Sequence, residues 1–216
     1  AELAAAHVAE DGIVPVFLAD GAIWTRERAG SLWPVHQCPS VAANLFTGLH
    51  LLDPVRYAAV VARGARWLLA YRARSGGWEG PSYHPPYGSY VACRFLSGLL
   101  GRAAPDLERA IRAQLEEERQ AILAAQSWDG SWGSPQATAL QRSTLLALGE
   151  RGSPVERAVL YLTETQQIQG CWRSEPLWMT PGPGVYPATY YESVPVTTAL
   201  CLRALAQWQA VCRIYT

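Results

Sequence analysis

Few residues in this chain of 216 could move a proton or hold a metal. Aspartate occurs only at Asp11, Asp20, Asp53, Asp106 and Asp129. No D-x-D pair and no D-D-x-x-D run is present to gather magnesium. Glu116-Glu117-Glu118 is the one dense carboxylate run, and it falls midway along a polar amphipathic segment, where a solvated outer face is expected. Other groups with chemical potential lie among aromatics in proline-rich stretches. One stretch holds Glu79, Tyr83, His84, Tyr87 and Tyr90, a second Glu175, Trp178, Tyr186, Tyr190, Tyr191 and Glu192, and a third Trp33, His36 and Cys38. The π faces of Trp and Tyr attract cations. A carboxylic acid desolvated among them keeps its proton to higher pH, as a general acid must.

Helices must position these stretches. Apolar residues recur at helical spacing over 38–51, 54–72, 88–100, 105–126, 136–149, 154–168 and 194–212, with one more helix over 1–10. Pro54 and Pro105 sit at first-turn positions, and Asp106 and Glu108 lie at the positive end of the longest helix. No segment alternates as a strand set would, so the fold class is all-α, read as a single domain over 1–216. The connections repeat. Gln126-Ser-Trp-Asp-Gly130-Ser-Trp132 and Gln166-Gln-Ile-Gln-Gly170-Cys-Trp172 both fit Q-x-x-x-G-x-W. Arg72-Ala-Arg-Ser-Gly76-Gly-Trp78 keeps Gly and Trp, and Gly30-Ser-Leu-Trp33 is a weaker one, so that in chain order the four copies end on Trp33, Trp78, Trp132 and Trp172. In this pattern Gly permits a tight exit from a helix, Gln bonds backbone groups freed there, and Trp plugs the seam between neighbouring hairpins. Asp129 and Trp128 read as parts of the turn.

These copies resemble the repeat of the prenyltransferase and squalene-oxidase group, which includes squalene–hopene cyclases and class II terpene cyclases. The resemblance spans roughly residues 30 to 210. It implies an α/α barrel of concentric helices, here of four to five hairpins and so small, open or completed by another chain. It also implies the acid motif D-x-D-D-T-A at the start of an inner helix. With the inner helices aligned on Leu49, Leu99, Leu148 and Leu205, the acid positions fall on Cys38, Ser40 and Val41, on Gly88, Tyr90 and Val91, on Ala137, Ala139 and Leu140, and on Val194, Val196 and Thr197. Only Thr198-Ala199 matches, and no acid stands in the slot. The zinc set of the prenyl-transfer relatives is not matched either, since His36-Gln37-Cys38 has no Asp beside it.

If the barrel forms, the connections into the inner helices face its mouth. Glu192, just before the helix that carries the displaced motif, is then the leading proton donor, followed by Glu79 and His84, with Glu175 behind them. Trp33, His36, Cys38, Tyr83, Tyr87, Tyr90, Trp178, Tyr186, Tyr190 and Tyr191 would line the substrate site. Arg94, on an inner helix, would meet a diphosphate, because the chain has no lysine and all 18 of its Lys+Arg are arginine. Each has a plainer reading: loop tyrosines pack and bond through their hydroxyls, Glu192 caps a helix, and the histidines are ordinary hydrogen-bonding groups.

Charge and composition set the remaining bounds. Eighteen cations balance 18 anions, which argues against nucleic acid as a partner. Only 17% of residues are charged, so the surface suits peripheral membrane contact, homo- or hetero-oligomers, or lipid handling. Cys38, Cys93, Cys171, Cys201 and Cys212 are odd in number and widely spaced, as expected of reduced core residues in the cytoplasm. Two functions stand open. One is a terpene-cyclase-like enzyme that binds an isoprenoid in an aromatic-lined barrel and promotes carbocationic cyclisation or isomerisation without a cofactor. The other is a non-catalytic domain that binds lipid or completes a partner's barrel.

Overall fold

The computed structural model describes residues 1–14, 38–80, 82–180 and 189–212. Among them run eight helices: α1 (Glu2–Ala6), α2 (Pro39–Leu52), α3 (Ala58–Ser75), α4 (Tyr87–Gly98), α5 (Pro105–Ala124), α6 (Pro135–Ala147), α7 (Ser153–Glu164) and α8 (Val194–Cys212). Most boundaries lie within a few residues of those read from the apolar spacing; α1 is shorter. Proline opens α2, α5 and α6, where its missing N–H costs nothing.

Helices α2, α4, α6 and α8 pack side by side as an inner row, with α3, α5 and α7 against its outer side. None of the extensive contacts joins α8 back to α2, so the described hairpins form an arc of an α/α barrel. Phe46, Leu68, Ala92, Leu96 and Ile111 are fully buried where the layers meet in the first half. Ala139, Leu162, Trp172, Cys201 and Ala204 form the corresponding core in the second half. Gly64 is what lets α3 lie against α2, because a Cβ there would meet the Phe46 ring at 2.2 Å.

The repeated turns have one construction. Each repeat Trp among the described residues donates its indole N–H to a carbonyl ten residues upstream in its own outer helix: Trp78 to Leu68 at 2.9 Å, Trp132 to Ile122 at 2.8 Å and Trp172 to Leu162 at 3.0 Å. The Trp therefore ties its connection to the end of its own outer helix, and fully buried Trp172 also packs with Ala139, Leu162, Cys201 and Ala204 at the seam with α8. Gln126 and Gln166 donate to the carbonyls of Gly130 and Gly170 at 2.9 and 2.8 Å. Arg72 replaces this Gln in the second copy. It lies over Trp78 at 5.1 Å and donates to Glu118 at 3.0 Å and Glu117 at 3.1 Å. Glu118 is consequently buried, which corrects the expectation that all of Glu116–Glu118 is solvated. Trp128 is exposed, and Asp129 accepts from the Ser131 N–H at 2.9 Å inside the turn.

One feature departs from the all-helical reading. An antiparallel hairpin, β1 (Pro176–Thr180) and β2 (Thr189–Glu192), interrupts the chain before α8. Its position in the repeat is fixed by two matching bonds. Trp132 donates its backbone N–H to Thr138 Oγ1 at 3.1 Å, and Trp172 donates likewise to Thr198 Oγ1 at 3.3 Å. The first pair is six residues apart and the second 26, so the hairpin belongs to an insertion of 20 residues between a repeat Trp and its inner helix. The equivalence of Thr138 and Thr198 also moves the third copy three residues from the leucine alignment. Its slot becomes Ser134, Gln136 and Ala137, again without an acid.

Candidate functional site

The hairpin draws two distant connections together. Tyr83 pairs with Trp178 beside β1, the His84 N–H donates to the Leu177 carbonyl at 2.9 Å, and the Met179 N–H donates to that of Ser82 at 3.0 Å. Tyr83 stacks on Tyr87 at 4.7 Å, and Tyr87 lies 6.1 Å from Tyr90. Across the junction, Trp178 stacks on Tyr191 at 4.7 Å. A band of aromatic rings therefore runs from the hairpin onto the start of α4.

Two cations meet this band. Arg94 donates to the Tyr90 hydroxyl at 3.1 Å with its guanidinium 5.3 Å from that ring. Arg203, on α8, places its guanidinium 5.9 Å from the same ring. Helices α4 and α8 are separated by α6 in the inner row, so the row must curve for both to reach Tyr90. Asn44, on α2, donates to the Tyr87 hydroxyl at 3.3 Å. Asn44, Arg94 and Arg203 are exposed on the inner helices, and neither arginine has a carboxylate partner among the described residues.

The carboxyls differ sharply in surroundings. Glu79 accepts the N–H groups of Gly88 and Ser89, both at 3.0 Å, and so caps the first turn of α4. Burial pushes its carboxyl above the ordinary glutamate value, against the lowering effect of those donors. Glu175 bonds the Ser134 hydroxyl and accepts the Gln136 N–H at 2.9 Å, which caps α6. Its own N–H donates to Thr197 at 3.3 Å, so it also anchors the insertion to α8. Glu192 is exposed at the end of β2 opposite Pro176. Glu79 and Glu175 thus each cap the start of an inner helix.

The remaining expected residues fall into three groups. Cys38 is buried at the start of α2, and Tyr83 is half-buried with its hydroxyl pKa raised, first by burial and then by Tyr87 and Cys38. His84 is exposed and its Nδ1 lies 3.0 Å from the Pro85 carbonyl oxygen. Tyr190 is exposed on β2 beside the Trp178–Tyr191 stack. Trp33, His36 and Tyr186 lie outside the described residues. Sequence reading missed Asn44 and Arg203. Asn44 had a signal, since it and Arg94 both stand five residues before an aligned leucine, Leu49 or Leu99. Among the described residues, no group of three or more His, Cys, Asp or Glu could hold a metal, and no helix is long and apolar enough to cross a membrane.

No family model matches the chain. Over 117 residues it is 37% identical to drimenyl diphosphate synthase of Streptomyces showdoensis, a match covering 50% of this chain and 22% of that protein. Its structure matches ent-copalyl diphosphate synthase from Streptomyces platensis with a TM-score of 0.59 and 21% identity. That match covers 94% of this chain and 37% of the other. The chain thus spans well under half the length of both. Its mostly helical architecture is similar to that of ent-copalyl diphosphate synthase.

Proposed function

We propose that the inner face of the arc binds an isoprenoid and promotes its carbocationic cyclisation or isomerisation. The observation carrying this reading is the junction of the connection before α4 with the hairpin before α8, which sets Tyr83, Tyr87, Tyr90, Trp178 and Tyr191 in one band with Arg94 and Arg203 at its end. The rings offer π faces to developing positive charge. The guanidiniums offer bidentate donors to an anionic head, and both similar proteins named above are diphosphate synthases. Tyr190 and the exposed His84 flank the band and help to bound the site.

The step we assign is proton addition from a carboxyl to a substrate C=C bond, followed by ring closure on the resulting cation and loss of a proton. Substrate and product have the same mass. Glu79 is the donor best prepared for this, because burial holds its carboxyl above the usual range. Glu192 acts as donor only under a covering surface, as it is exposed here. A second reading has its own support. Val194, Val196 and Leu202 of α8 are each exposed, which suits a wall that further polypeptide completes.

The test incubates wild type, Glu79→Gln and Glu192→Gln with prenyl diphosphates of increasing length. Products are read by mass spectrometry after phosphatase treatment. Wild type is expected to give a cyclised isomer and Glu79→Gln to lose at least ~100-fold in rate, the scale of general acid catalysis. Binding without turnover by wild type selects the second reading, and neither binding nor turnover defeats both.

A further inference from the structure

An apolar trough lies apart from the aromatic band, where the end of α2, the start of α3 and the α4–α5 turn converge. Its volume is about 750 Å³, within the range of small-molecule sites. Small side chains form one wall, Ala58, Ala59 and Ala62 of α3, and Leu99, Ala103 and Leu107 form the other. At the neighbouring α2–α3 turn, Leu51, Leu52 and Val55 are 76%, 64% and 85% exposed, an unusual cluster of large apolar groups in water.

The rim carries one cation. Arg102 lines the trough and lies 3.2 Å, Nη1 to Nε2, from His50, another lining residue. Burial and the Arg102 charge both lower the His50 pKa, in that order, so a neutral imidazole accepts from the guanidinium and orients it. The nearby acids are engaged elsewhere. Asp53 accepts the N–H groups of Val55 and Arg56, Asp106 pairs with Arg66, and Glu108 pairs with Arg112. Arg102 has no carboxylate partner among the described residues.

We propose that this trough binds a free single-chain amphiphile with an anionic head, its hydrocarbon tail against α3 and its head on Arg102. Charge complementarity selects the occupant: an uncompensated guanidinium at the mouth of an apolar slot matches one tail and one anion. Val55, a lining residue that is itself exposed, extends the apolar surface along which the tail enters. The site is independent of the aromatic band, and its failure leaves the cyclase reading untouched.

Oleate below its micelle concentration is the probe, titrated calorimetrically into the full chain beside oleyl alcohol, which has the same tail without the charge. Saturable oleate binding is expected, at least ten-fold tighter than that of the alcohol. Arg102→Gln should weaken oleate at least ten-fold with little effect on the alcohol. Ala62→Leu, which fills the trough, should weaken both ligands, with circular dichroism reporting that each variant is folded. Loss of oleate binding in Arg94→Gln but not in Arg102→Gln would overturn the proposal by placing the ligand on the aromatic band. Association with anionic phosphatidylglycerol vesicles without binding of monomeric oleate would overturn it too, in favour of a membrane surface.

Discussion

Glu79 shows how one residue can serve both fold and chemistry. It satisfies two N–H groups at the start of α4, which otherwise have no intrahelical partner. It is also desolvated enough for its pKa to rise. A carboxyl whose folded pKa exceeds its unfolded value contributes stability below the unfolded pKa and loses it as pH rises through the folded value. Glutamine does not titrate, so the melting temperature of Glu79→Gln relative to wild type should increase between pH 4 and pH 7. A difference that stays flat or shrinks contradicts the raised pKa. Sequence marked Glu79 as an acid among aromatics, but it gave no sign of the cap, because Gly88 and Ser89 are nine and ten residues away. Arg203 was illegible for a similar reason: its approach to Tyr90 depends on the curvature of the inner row.

At the level of elements, the repeat turn is the part most fully written in the sequence. Q-x-x-x-G-x-W specifies a glycine with positive φ, a Gln bond to that glycine and a Trp bond to the outer helix, and all three appear in the third and fourth copies. The glycines are not equally constrained. Gly130 has φ +88°, and a Cβ there would meet the Arg157 carbonyl oxygen at 2.6 Å, whereas Gly76 has φ +76° with open space around it. Gly76→Ala should cost only the left-handed backbone penalty, about 1–2 kcal/mol. Gly130→Ala should cost more, because α7 must also move. Urea denaturation of both variants checks the order, and equal losses would contradict this account of the contact. The hairpin was not legible in this way. Pro176–Thr180 and Thr189–Glu192 are short and lack clean alternation, and β1 gains its order partly from pairing with Ser82–His84, far away in sequence.

Over the whole molecule, helix periodicity and the repeated turn were enough to read an arc of helical hairpins, since each rests on contacts close in sequence. The candidate site was legible only as a set of residue types. What assembles it is long-range: the insertion before α8 is tied to α6 by Glu175, to α8 by Thr197 and to the connection before α4 by Tyr83 and His84. These ties make the aromatic band a property of the fold rather than of either stretch alone. The most direct test is a crystal structure of the chain soaked with a non-hydrolysable prenyl diphosphate analogue. The hydrocarbon should lie along Tyr83, Tyr87 and Tyr90, with the diphosphate on Arg94 and Arg203. An analogue that occupies another surface, or leaves the aromatic band empty at saturating concentration, would contradict it.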